Sequence, residues 1–236
     1  MRSALRVLRR LPGLVLLVAV VPLALLAFAP RVRDWRPGGE RLADRAQRLW
    51  VTGLCRVFGL RIVRFGQLAP EPVLVIANHQ SWQDILVLNA GRAMRFVAKA
   101  EIRSWPVVGW LVTTAGTLYH HRGSGDSMNR ILTAMVAGLQ QPSTVAIFPE
   151  GGIPEQHVVA RFHPRLLAAA LEVGCVVQPV CIRYLEQGRN SDRRRFGRGE
   201  GMLGNFLRLL GAPTTRVEVH ALAPLPVTVS SRRREL

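Results

Sequence analysis

Residues 73–84 read VLVIANHQSWQD, and this stretch decides the reading of the chain. Val73 to Ala77 form a short, largely β-branched apolar run, the signature of a buried strand. Asn78, His79, Gln80 and Ser81 follow at once, and a helical pattern starts at about residue 82 and carries Asp84. Working outward, the same unit recurs. Strands are predicted at Arg95 to Ala98, Thr117 to His120, Thr144 to Phe148, Val176 to Tyr184 and Arg216 to Leu222. Helices are predicted at about 82–90, 106–114, 126–140, 164–173 and 201–211. Strands that alternate with helices give an α/β domain with a mostly parallel sheet flanked by helices. Near-continuous apolar strands fit a sheet covered on both faces.

Open sheets of this kind bind ligands beyond the carboxyl ends of their strands. The residues that follow the strands here are rich in titratable groups: His79 and Asp84, then His120, His121 and Arg122, then Glu150 with Gly151. His79 and Asp84 straddle a strand end and a helix start, where a turn brings the carboxylate back toward the imidazole. An acid that accepts from one ring nitrogen fixes the tautomer and frees the other nitrogen to take a proton. No GxSxG elbow is present to supply a protein nucleophile. A His-Asp pair without one implies that the substrate's own hydroxyl attacks. Ser81 suits a helix N-cap better than a nucleophile. Taken alone, a His and an Asp at this spacing also describe a capped helix with a structural histidine.

The N-terminus has a different character. Residues 11–29 (LPGLVLLVAVVPLALLAFA) carry no charge and approach the roughly 20 residues that a spanning helix needs. Residues 1–35 are therefore read as a membrane-anchoring segment. A cleaved signal peptide is the alternative, because Ala27-Phe28-Ala29 resembles a small-x-small cleavage pattern. Arginines flank both ends of the run, so the positive-inside rule sets no orientation, and Pro22 leaves room for a helix that enters and returns. Residues 36–59 hold a basic amphipathic helix, with Leu42, Ala46, Leu49, Trp50, Leu54 and Val57 at helical spacing. The catalytic domain is assigned to 60–229, and 230–236 form a basic tail.

Bulk properties agree. The 236 residues are 49% apolar and 20% charged, enough for a sizeable core. A net charge of +17 favours a polyanionic partner, either nucleic acid or an anionic membrane face. No zinc finger, aromatic RNP pair or helix-turn-helix cue is present, and the apolar N-terminus points to lipid. Cys55, Cys175 and Cys181 form neither a disulfide framework nor a metal pattern and read as buried thiols. No metal or cofactor is expected.

NHQSWQD is followed in order by FVAKAEI, GTLYHHRG, FPEG and VQPV. Over residues 73–184 this order resembles the glycerolipid acyltransferase family, which includes 1-acylglycerol-3-phosphate acyltransferase. The resemblance implies acyl transfer from acyl-CoA or acyl carrier protein to the hydroxyl of a lysophospholipid. It implies that His79 is the general base and Asp84 its orienter. It also implies that Glu150, Gly151, Arg122 and Lys99 bind substrate, and that Pro179 belongs to the fourth motif. The expected acceptor is 1-acylglycerol-3-phosphate, which would give phosphatidic acid. Another lysolipid, such as lyso-ornithine lipid, and a non-catalytic lipid-binding scaffold are the alternatives. One departure bears on that choice: the family continues FPEG with Thr-Arg, whereas Gly152 and Ile153 stand here. Arg161 and Arg165, in RFHPRLL, could supply replacement cations. The expected location is the inner (cytoplasmic) membrane, with the site facing the cytoplasm and the basic faces on anionic lipid.

Overall fold

The computed structural model describes residues 2–106, 108–120, 127–153 and 159–227. The elements, in chain order, begin with α1 (Arg2–Ala19), α2 (Val21–Leu26), α3 (Leu42–Val57), β1 (Leu60–Phe65), β2 (Val73–Ala77) and α4 (Gln83–Asn89). Then come β3 (Arg95–Lys99), α5 (Val108–Thr114), β4 (Leu118–His120), α6 (Ser127–Leu139) and β5 (Thr144–Ile147). The last are α7 (Ala168–Val173), β6 (Val176–Glu186), β7 (Arg189–Asn190), α8 (Met202–Leu210) and β8 (Thr215–Ala221). They are distributed over two compact units. One comprises residues 1–64, 80–93 and 182–219, and the other 65–79, 94–181 and 220–236.

In the second unit the strands run in the order β6-β2-β5-β3-β4, and each of these pairs is parallel. Register is set by burial: Val73 lies beside Thr144 on one side and Val176 on the other. All five residues of β2 and all four of β5 are buried, as the apolar runs predict. Helix α6 supplies a core face, because Ile131, Met135 and Leu139 recur every four residues and all lose contact with water. They pack with Leu74, Ile76, Val145, Ile147, Ala169, Ala170 and Val177. Each large side chain so buried contributes about 1.5–3 kcal/mol. Helix α7 stops at Gly174, which takes the left-handed conformation (φ 70°) that favours glycine.

In the first unit α3 packs against α1 and α4. Strands β1, β8 and the second half of β6 are neighbours in that order, and β7 folds back antiparallel on β6. Gln187 and Gly188 make that turn, both with positive φ, as a two-residue hairpin requires. Strand β1 escapes a reading based on apolar runs. Arg61 and Arg64 interrupt it, and of its six residues only Leu60 is buried.

Helix α1 is docked rather than free. Arg10 is buried, and its Nη1 donates to the carbonyls of Leu210 and Ala212, each at 2.7 Å. Arg6 Nε donates to Gly211 O at 2.7 Å. These are carbonyls at the C-terminal end of α8, which have no partner inside their own helix. On the other side of α1, Leu5, Leu8, Leu11, Val15 and Val18 are exposed and three or four residues apart. The stretch Arg2–Leu26 is long and apolar enough to cross a membrane, by length and composition. Gly59 (φ 71°) faces the Arg10 guanidinium so closely that a Cβ would collide with it. Gly59→Ala should therefore lower stability by about 2 kcal/mol, through backbone strain and displacement of Arg10, read as a drop in thermal midpoint.

All three cysteines are free. Burial pushes the Cys55 thiol up to about 12 and raises that of Cys175. Neither should react with a water-soluble maleimide at pH 7.5 in the folded protein, whereas both should label in urea.

Candidate active site

Two turns, one in each unit, carry the motif residues. In the second unit β2 ends at Ala77, and Asn78 and His79 continue past the end of the sheet. His79 is half-buried. Its ring stacks on Phe148, with centroids 4.0 Å apart and planes 12° apart, and Phe148 in turn lies 5.7 Å from Phe96. Phe148 immediately follows β5, so the strand pairing that aligns β2 and β5 also places the stack. The backbone of His79 is held by Glu150: Oε1 accepts from the His79 amide at 2.6 Å, and Oε2 accepts from the Ala160 amide at 2.9 Å. One carboxylate thus ties the end of β2 to the segment that follows the FPEG turn. Charge-assisted bonds of this kind are shorter and stronger than neutral ones.

Gly151 is required by the turn itself. It has φ 73°, and its amide donates to Phe148 O at 3.1 Å. His163 N closes the same loop on Pro149 O at 2.8 Å. Lys99 ends β3 with its side chain exposed, beside His120 in the β3–β4 register. His120 Nδ1 lies 3.1 Å from Ser127 Oγ, a structural partner rather than a reacting one. Arg161 and Arg165 are exposed. Arg122 and His121 lie outside the described residues. Pro179 sits within β6, opposite Ile76 of β2.

In the first unit the chain turns at Gln80–Ser81 and enters α4. Asp84 is fully buried at the first turn of that helix. Its Oδ2 accepts from the amides of Gln80 (2.6 Å) and Ser81 (2.8 Å), so the carboxylate caps its own turn. Its Oδ1 accepts from Tyr184 Oη at 2.7 Å. The hydroxyl of Ser81 accepts from the Gln83 amide at 3.3 Å and so serves the helix start. Trp82, half-buried, donates to Asn205 Oδ1 and packs edge-on against Phe58.

Two residues that hold this turn are not apparent in the sequence. Tyr184 closes the predicted strand Val176 to Tyr184 and carries no motif. Arg194 sits in the arginine-rich stretch 187–200, which reads as a solvated loop, yet it is completely buried. It donates to Phe58 O, Pro213 O, Thr215 Oγ1 and Gln83 Oε1. Burial lowers it to about 10, so it stays charged at neutral pH. Nothing in sequence separates it from its neighbours Arg193, which pairs with Glu186, and Arg195, which pairs with Asp192.

With this geometry in hand, comparison with known proteins decides the family. The acyltransferase family model matches residues 62–183, which include both turns. The chain belongs to the acyltransferase family. Over 227 residues this acyltransferase is 38% identical to the lyso-ornithine lipid O-acyltransferase of Pseudomonas aeruginosa, covering 95% of this chain and 86% of the relative. It is 36% identical over 129 residues to the 1-acyl-sn-glycerol-3-phosphate acyltransferase of Neisseria gonorrhoeae, covering 55% and 51% respectively. Its fold is similar to the crystal structure of the 1-acyl-sn-glycerophosphate (LPA) acyltransferase PlsC from Thermotoga maritima. That match has a TM-score of 0.58 and 20% identity, over 96% of this chain and 87% of the other.

Proposed function

We propose that this acyltransferase moves a fatty-acyl group from acyl-CoA or acyl carrier protein to the hydroxyl of a lysolipid, with His79 as general base. The observation that carries the reading is His79 itself. Its backbone is fixed by Glu150 and its ring by Phe148 at the end of β2, where a sheet of this kind presents its chemistry. The acceptor O–H gives its proton to a ring nitrogen as the oxygen attacks the thioester carbonyl. The thiolate then leaves and takes that proton back from the imidazolium. Asp84, five residues on, orients the imidazole and stabilises its charged form. Activity falls as pH drops and the imidazole is protonated. A pH profile without an acidic limb would count against His79.

For the acceptor we favour lyso-ornithine lipid, whose amino-acid head group carries an ammonium and a carboxylate in place of phosphate. A phosphate ester calls for a guanidinium fork, and Gly152 and Ile153 stand where the family continues FPEG with Thr-Arg. Similarity to the Pseudomonas enzyme runs over nearly the whole chain. A second reading, 1-acylglycerol-3-phosphate, draws on the Neisseria relative and on Lys99 and Arg161 as phosphate cations. Membranes bearing the protein should acylate lyso-ornithine lipid at least tenfold faster than lysophosphatidic acid at equal concentration. The reverse order would establish the second reading, and product from neither would remove both acceptors.

The enzyme works at a membrane surface. Exposed Leu5, Leu8, Leu11, Val15 and Val18 form one apolar face of α1, opposite the docked Arg6 and Arg10. Exposed Leu203 and Leu207 on α8 add to the apolar surface of the same unit. This pattern fits a helix immersed in one leaflet of the inner membrane, its arginines turned to protein and to anionic head groups. Alkaline carbonate should leave the protein in the pellet. Introducing Leu8→Glu with Val15→Glu should release it.

A further inference from the structure

Asp84 is a fully buried carboxylate, and a buried charge is tolerated only when it is saturated with donors. Two of its donors, the amides of Gln80 and Ser81, belong to its own turn and both reach Oδ2. Oδ1 accepts from the Tyr184 hydroxyl, at 2.7 Å and 100 residues further along the chain. Tyr184 is itself 1% exposed. A phenylalanine would fill the same space, so packing gives no reason for the hydroxyl.

We infer that Tyr184 is a positioning residue for acyl transfer: its hydroxyl fixes the Asp84 carboxylate and draws off part of its negative charge. The inference rests on the reading of His79 as base and Asp84 as its orienter. The phenol serves only as a donor, because burial first and the neighbouring Asp84 second raise it well above its ordinary value. The other titratable groups that act on Tyr184 are the Arg194 guanidinium and the Cys55 thiol. Glu150 is a further charged group beside His79 and is bonded to its amide. A donor on a carboxylate lowers the charge that the carboxylate offers an imidazolium. Remove the donor, and more negative charge favours protonated His79. The acidic limb of the pH–rate profile then moves to higher pH.

The test compares wild type, Tyr184→Phe and a protein with 3-fluorotyrosine placed at 184, all in the same vesicles with acyl-CoA and the preferred lysolipid. Tyr184→Phe should lower kcat about tenfold, the effect of one lost bond to a charged acceptor. KM for either substrate should stay within about twofold, because the hydroxyl touches no substrate. Its acidic limb should move up in pH. Fluorotyrosine, a stronger donor of nearly the same shape, should move the limb down. In an Asp84→Asn background Tyr184→Phe should add nothing. A Tyr184→Phe profile that superimposes on wild type overturns the inference. Should that variant fail to fold, an unmoved limb with fluorotyrosine overturns it equally. His79→Ala in the same series separates the two readings: full activity there removes the base, whereas loss there with an unmoved limb at 184 removes Tyr184 alone.

Discussion

His79→Ala should reduce kcat by about 10²–10⁴-fold, the range that a positioned general base contributes. KM should hardly change, since the lost group acts on a proton in flight rather than on bound substrate. Folding should be almost unaffected. The ring is half-buried and stacks on the Phe148 face at 4.0 Å, a contact worth about 1 kcal/mol. The bond to Glu150 uses the backbone amide and survives truncation of the side chain. Asp84→Asn is the instructive contrast. Asparagine has one acceptor oxygen where Asp84 has two, and its NH₂ would face either the Tyr184 hydroxyl or the two turn amides. That variant should lose both activity and stability. Single-turnover kinetics with labelled acyl donor, beside a melting curve, would separate the two effects. Wild-type turnover in His79→Ala would end the general-base account.

The largest loss of stability is expected at Arg194. Arg194→Met keeps the apolar stem and removes the guanidinium, leaving the Phe58 and Pro213 carbonyls and the Thr215 hydroxyl buried without this donor. Breaking such a cluster costs about 3–5 kcal/mol. The thermal midpoint should fall by about 10 °C for a chain of this size. Arg194→Lys should rescue little, because one ammonium on a flexible stem cannot span four acceptors set around a planar fork. The chemistry should weaken as well, since Gln83, one of the four, opens the helix that carries Asp84. A midpoint within 2 °C of wild type would show that solvent replaces the guanidinium readily.

The residues that surround these two predictions differ in how they appear in sequence. β2, β5 and the FPEG turn are local patterns: an apolar run of five with three β-branched residues, a glycine at positive φ, a histidine just past a strand end. Their positions follow from spacing alone, and the structure places them within a residue or two of expectation. Glu150 is visible as a residue of interest, but its bonds to the His79 and Ala160 amides depend on how distant segments meet. Arg194 and Tyr184 depend on that meeting entirely. An arginine among arginines and a tyrosine at the end of a strand have no periodic signature, and only the closure of the first unit buries them. β1 is missed for another reason: Arg61 and Arg64 break its apolar run, and of its six residues only Leu60 is buried. The N-terminal apolar run is plain in sequence, whereas its docking through Arg10 is not. An arginine before such a run ordinarily reads as a flank for the lipid head groups.

That docking has a consequence for the order of events during synthesis. Arg10 leaves the ribosome well before its partners Leu210 and Ala212, which follow 200 and 202 positions later. At roughly 5–20 residues per second the guanidinium waits about 10–40 s for its carbonyls. Through that interval, as in the finished fold, Leu5, Leu8 and Leu11 lie on no protein surface, and a bilayer is the apolar phase that would cover them. Under the proposed membrane attachment, α1 meets lipid before its docking site on α8 exists, and the completed chain closes onto an end already in the bilayer.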